Sequence, residues 1–175
     1  MIRYDDVCFA RPQGVWCAMS SIRPVIGAAS VDDVSELAIL VEQYWAFEGI
    51  SEFDSHRIEG LLRAALCADG HARCWLAEQA GEPAGYLLAV LVFSLEHGGM
   101  MAEIDEFFVA PAYRGQGIGA ALLRHAERVL QESGVKRLQL QLGSGNARAR
   151  DFYVARGYGR RSSFELWDKA LPVTD

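Results

Sequence analysis

Phe107-Phe108-Val109-Ala110-Pro111-Ala112-Tyr113-Arg114-Gly115-Gln116-Gly117-Ile118-Gly119 changes its period partway along. Up to Val109 the stretch is apolar and strand-like, and Pro111 closes the strand. Beyond the glycines, Ile118, Leu122, Leu123, Ala126 and Leu130 recur at helical spacing. A strand therefore runs into glycines and then into a helix. Glycines admit a phosphate close to the backbone because no Cβ stands in the way. The first-turn N–H groups and the helix dipole supply partial positive charge, and Arg114 adds a mobile cation at the mouth. A P-loop would need Gly-Lys-Ser/Thr at its end, which this stretch lacks. A dinucleotide fingerprint would need G-x-G-x-x-G after the first strand of a βαβ unit; here G-x-G-x-G comes late in the chain. A plain loop-to-helix turn is the remaining reading.

Working outward, three strands precede the loop, about Ala72 to Glu78, Pro83 to Leu95 and Met100 to Val109. The breaks at Gln79-Ala80-Gly81-Glu82 and His97-Gly98-Gly99 are hairpin-like, so these strands pair antiparallel. Before them, Ser21 to Ile26 is a strand suited by Pro24 to an edge. Ser30 and Asp33 form a capping box, and Val34, Leu37, Val41, Tyr44 and Trp45 give a helix to about Glu48. A second helix runs from Ser55 to Ala68, with Ile58, Leu61, Leu62, Ala65 and Leu66 on one face. After the loop helix, Gly134 is a C′ glycine. Val135 to Leu142 alternates as a strand, Asn146 to Arg156 is a short helix, and Arg161 to Trp167 is a last strand. Residues 1–20 read as an N-terminal extension and 21–170 as a single α/β domain, a mainly antiparallel mixed sheet with helices on both faces.

A second stretch joins the first. In Asn146-Ala147-Arg148-Ala149-Arg150-Asp151-Phe152-Tyr153-Val154-Ala155-Arg156-Gly157-Tyr158, an Asn is followed by an Ala three residues on, a Phe-Tyr pair and a closing Gly-aromatic. This segment and Arg-x-x-Gly-x-Gly, in this order and separated by one strand, resemble the two cofactor motifs of the GNAT acyltransferase superfamily. The similarity covers about residues 20–168.

The resemblance implies acetyl-CoA bound in a wedge between two parallel strands that splay apart, here those ending at Val109 and Leu142. Freed backbone groups on Phe107, Phe108 and Val109 would pair with the pantetheine amides. The N–H of Phe108 or Val109 would polarise the thioester carbonyl. Arg114, Gly115, Gln116, Gly117, Ile118, Gly119 and Ala120 would take the pyrophosphate, and Asn146 the pantetheine arm. Tyr153 falls on the family position that protonates the departing thiolate; an aromatic core residue is its alternative. For the base, Asp105 and Glu106 point to opposite faces unless a bulge intervenes, with Glu103 and a water relay as further options. The acceptor site would draw on Tyr44, Glu48, Glu52 and Asp54, whose acidic and aromatic groups suit a cationic amine. A solvated helix end is the other reading of those four.

Composition narrows the partners. A net charge of −6 over 175 residues argues against nucleic acid. Cys8, Cys17, Cys67 and Cys74 form no CxxC pair, and the four histidines have no partner at metal spacing, so no metal is expected. Asp5 and Asp6 stand where a signal peptide is basic, and no apolar run could span a bilayer. The expectation is a cytoplasmic N-acetyltransferase for a small-molecule or peptide amine, with a possible homodimer built on the extension and the last strand. A non-catalytic acyl-CoA-binding module is the competing function.

Overall fold

Pro24 keeps Val25–Ala28 (β1) at a sheet edge, as an amide without N–H must. The computed structural model describes residues 23–67, 71–163 and 165–171; the extension at 1–20 lies outside them. The Ser30–Asp33 capping box forms and opens a 3-10 turn that leads into helix α1, Val34–Glu48. Helix α2 is Ser55–Leu66, started by the Asp54 carboxylate, which accepts from the Arg57 N–H at 2.6 Å. Strands β2 (Ala72–Gln79), β3 (Glu82–Ser94) and β4 (Gly99–Val109) follow, then α3 (Ile118–Glu132), β5 (Leu138–Leu140) and α4 (Ala147–Val154).

The sheet order is β1-β2-β3-β4-β5, antiparallel throughout except for the parallel β4–β5 pair. This is the mixed sheet the sequence predicts. Cys74, Trp75, Leu76 and Ala77 are all buried because successive strand residues face opposite layers. Cys74 and Leu76 pack under α1 and α2 with Val34, Leu37, Leu40 and Ile58. Trp75 and Ala77 pack with Ile118, Leu122, Leu123 and Tyr153 from α3 and α4.

Three expectations change. Leu61 is 55% exposed, since Ile58 and Leu62, one turn apart, already fill the narrow buried stripe of α2. Strand β5 spans only Leu138–Leu140, not Val135 to Leu142. The strand expected at Arg161 to Trp167 is absent among the described residues, and Leu166 and Trp167 are exposed. Alternation makes a strand only where a neighbouring edge accepts its hydrogen bonds, and short β1 and three-residue β5 are the open edges. With that strand goes its edge as an argument for a dimer.

The shortness of β5 has a local cause in β4. Leu88 pairs with Glu106 and Ala89 with Ile104, so Asp105 is an extra, unpaired residue. A bulge of this kind bends its strand. Pairing of β4 with β5 ends at Ile104 opposite Leu140, immediately before the bulge, and the two strands part beyond it.

On its other side β4 stays close to β3 up to Val109. A Cβ on Gly85 would lie 2.6 Å from the Phe108 carbonyl oxygen, so this approach requires glycine. Gly85→Ala is expected to lower stability by roughly 1–3 kcal/mol, as overpacking does, measured by urea unfolding; no loss would mean that the two strands separate freely here.

Candidate active site

The bulge decides which groups of β4 face the gap. Ala102 N–H donates to the Arg137 carbonyl at 2.8 Å, so before the bulge the even-numbered residues turn their amides to β5. After it, Ala110 N–H donates to Ala84 across the β3 ladder at 2.9 Å, so the even-numbered residues now turn to β3. The backbone groups of Phe107 and Val109 therefore point into the opening beyond β5, and those of Phe108 are used in the β3 ladder.

A cleft of about 280 Å³ occupies this opening, lined by Tyr44 and Glu48 from α1, Asp105 and Phe107 from β4, Gln141 to Gly143 after β5, and Asn146, Ala149 and Tyr153 around α4. It brings together Tyr153, Asp105, Asn146, Phe107, Tyr44 and Glu48. It does not include Glu52 or Asp54: Asp54 caps α2, and the Glu52 carbonyl accepts from the Arg57 guanidinium at 3.3 Å.

The two neighbouring carboxylates have different surroundings. Asp105 is exposed to the cleft, and partial burial, with Glu103 adding like charge, raises its carboxyl above the ordinary range. Glu103 is itself tied to the Gln139 and Gln141 amides, both at 2.7 Å. Glu106 also lies on the α1 side, beyond the bulge, with both oxygens engaged, one by Trp45 Nε1 at 2.9 Å and one by the Tyr86 hydroxyl at 2.7 Å. The sequence places Trp45 in the helical period of α1 and assigns Tyr86 no individual role. Nothing in their spacing signals that they hold Glu106.

The tyrosines divide in the same way. Tyr158 gives its hydroxyl to Glu127 at 2.8 Å, and Tyr86 gives its own to Glu106. The Tyr153 ring is buried against Phe107, Phe152 and Tyr158. Its hydroxyl makes no hydrogen bond to any described residue and is not a buried atom, so it is open to the cleft. Burial, then the neighbouring Tyr44, raises its pKa above that of a free phenol. Tyr44 is pushed up to about 12, by burial first and then by Glu48, Glu106 and Asp105.

The glycine loop is built as an anion site would need. Gly115 and Gly117 have φ of +77° and +82°, which favour glycine, and the space where a Cβ would project is empty. Gly117 caps α3 with no side-chain hydrogen bond, leaving the N–H groups of Ile118, Gly119 and Ala120 without a capping partner. Gln116 Nε2 donates to the Ala112 carbonyl at 3.1 Å. Arg114 is not a mobile cation. Its Nε donates to the Val109 carbonyl at 2.8 Å, and its guanidinium stacks 4.6 Å from the Phe47 ring centre. Asn146 caps α4 through Oδ1 to the Ala149 N–H at 3.0 Å, which leaves its amide nitrogen for a ligand in the cleft.

Comparison with known proteins agrees with this geometry. The family described as Acetyltransferase (GNAT) family matches residues 37–158. An uncharacterized N-acetyltransferase of Archaeoglobus fulgidus is 31% identical over 79% of this chain and 95% of its own. A thialysine N-epsilon-acetyltransferase of Bos taurus is 30% identical over 82% of this chain and 88% of its own. An aminoalkylphosphonate N-acetyltransferase of Salmonella typhimurium is 34% identical over 62% of this chain and 69% of its own. Among solved structures, an integron cassette protein from a salt-marsh metagenome has a TM-score of 0.75 at 25% identity, covering 91% of this chain and 98% of that one.

Proposed function

Because the chain belongs to the acetyltransferase (GNAT) family, we propose that it transfers the acetyl group of acetyl-CoA to the nitrogen of a small-molecule or peptide amine, through one domain spanning 21–170. The observation that carries this reading is the uncommitted Tyr153 hydroxyl at the gap between β4 and β5, with the uncapped N-terminus of α3 opening on the loop beyond Val109. When bound, acetyl-CoA supplies an activated thioester, whose acetyl carbon an amine attacks as the carbon–sulfur bond breaks.

The residues fit such a ligand. The backbone groups of Phe107 and the N–H of Val109 can pair with an extended amide chain as a neighbouring strand would. The Val109 N–H, turned toward the gap, is available to a carbonyl oxygen; that of Phe108 is used by β3. Gly115 to Ala120 offer N–H groups to a pyrophosphate, and Arg114 holds the loop to Val109. The Asp105 carboxylate takes a proton from the incoming amine, and the Tyr153 hydroxyl delivers one to the leaving sulfur. No metal enters these steps. An amine panel with acetyl-CoA, read by released thiol, tests the reading; no thiol release with any amine would overturn it.

The loop gives a sharper test. A Val side chain at position 117 would be held at positive φ and would shade the α3 N-terminus. Gly117→Val should weaken acetyl-CoA at least about tenfold by calorimetry, and unchanged affinity would remove the loop from the cofactor site. Cellular supply of acetyl-CoA supports a cytoplasmic location, in keeping with the absence of any described helix long and apolar enough to cross a membrane. The exposed Leu166, Trp167 and Leu171 support a homodimer. Light scattering should then give twice the chain mass, and a single chain mass at micromolar concentration would rule the dimer out.

A further inference from the structure

Resting on the acetyltransfer reading, we infer that Glu48 selects acceptors that carry a second positive charge besides the reacting amine, such as diamines or basic amino acids. Glu48 is the last residue of α1. A carboxylate there faces the negative end of the helix dipole, where a cation would be favourable. The last turn of α1 holds no basic residue, and Glu48 forms no salt bridge among the described residues. The charge is therefore unfavourable to its own helix and uncompensated, yet it lines the cleft.

Its surroundings suit a cation and no anion. Tyr44, one turn earlier on α1, lines the same wall, makes no hydrogen bond through its hydroxyl to a described residue, and offers an aromatic face. Among the described residues, the only other charged one in the lining is Asp105, and neither lysine nor arginine is among them. Glu48 and Asp105 come from different elements, α1 and β4. One carboxylate can thus hold a remote ammonium as the other receives the proton of the reacting nitrogen. The raised pKa of Tyr44, to which Glu48 contributes after burial, is consistent with a negative field inside the cleft. An acceptor bearing a phosphonate would meet repulsion from both carboxylates.

Three acceptors of similar length separate the outcomes: 1,4-diaminobutane, butylamine and 3-aminopropylphosphonate, each with acetyl-CoA and read by released thiol. A contact between charged groups in a partly enclosed site is stronger than a neutral one, so kcat/KM for the diamine should exceed that for butylamine about tenfold or more, with the phosphonate lowest. In Glu48→Gln the diamine-to-butylamine ratio should fall toward one. The melting temperature should not fall, because the substitution removes a charge unfavourable to α1. Equal rates for diamine and butylamine, a ratio untouched by Glu48→Gln, or a preference for the phosphonate would each overturn the inference while leaving acetyltransfer standing. Thiol release with none of the three, from protein that binds acetyl-CoA by calorimetry, would overturn the inference alone, since acetyltransfer itself falls only if the wider amine panel also fails.

Discussion

Tyr153→Phe lowers kcat by roughly 10²–10⁴-fold, the range of a general acid, with little change in the KM for acetyl-CoA. The substitution deletes one oxygen and keeps the ring packed against Phe107, Phe152 and Tyr158, so the loss falls on the transition state rather than on binding or folding. Tyr158→Phe is the matched control, because its hydroxyl is bonded to Glu127. It should cost stability of about 1 kcal/mol and leave kcat nearly intact. Burial and Tyr44 raise the pKa of Tyr153 above that of a free phenol. The acid form is the neutral one, so no falling limb attributable to Tyr153 should be seen below about pH 10. Turnover within about twofold of the parent would make Tyr153 a packing residue, given the range expected of an acid.

Much of this arrangement is legible in the residues because it is local. The Ser30–Asp33 box, the Gly134 cap and the apolar period of α3 depend on neighbours within a few positions, and all are found. The glycine loop is legible for the same reason: Gly115 and Gly117 adopt the positive φ that their lack of a Cβ allows. Arg114 is misread because its partners, the Val109 carbonyl and the Phe47 ring on α1, are chosen by tertiary packing. The Arg161 to Trp167 strand is misread because alternation is necessary for a strand but insufficient without an edge to receive it. The bulge at Asp105 is the most consequential omission, since Glu103 to Val109 alternates acceptably with or without an extra residue. Only the register against β3 reveals the bulge, which both opens the cleft and lets Asp105 and Glu106 turn to the same, α1 side.

Their unlike partners yield the last expected result, in which two adjacent carboxylates respond differently to loss of charge. Asp105→Asn should lower kcat/KM near neutral pH by roughly 10²-fold or more, the contribution of a general base. Its carboxyl, raised by burial and Glu103, is a better proton acceptor than an ordinary aspartate and is active only once ionised. Activity of the parent therefore falls as pH drops through that raised value, and this limb should vanish in Asp105→Asn. An amine with a pKa near 10.4 increasingly arrives unprotonated as pH rises, so the deficit of Asp105→Asn should shrink toward alkaline pH. A merely structural residue would show no such recovery. Glu106→Gln should behave otherwise: an amide retains one acceptor oxygen for two donors, Trp45 Nε1 and the Tyr86 hydroxyl. One half-buried donor is left unpaired, at about 1–3 kcal/mol of stability, seen as a lower melting temperature. If Glu106→Gln instead lost activity at unchanged stability and recovered at alkaline pH, with Asp105→Asn near the parent, the proton would pass through Glu106.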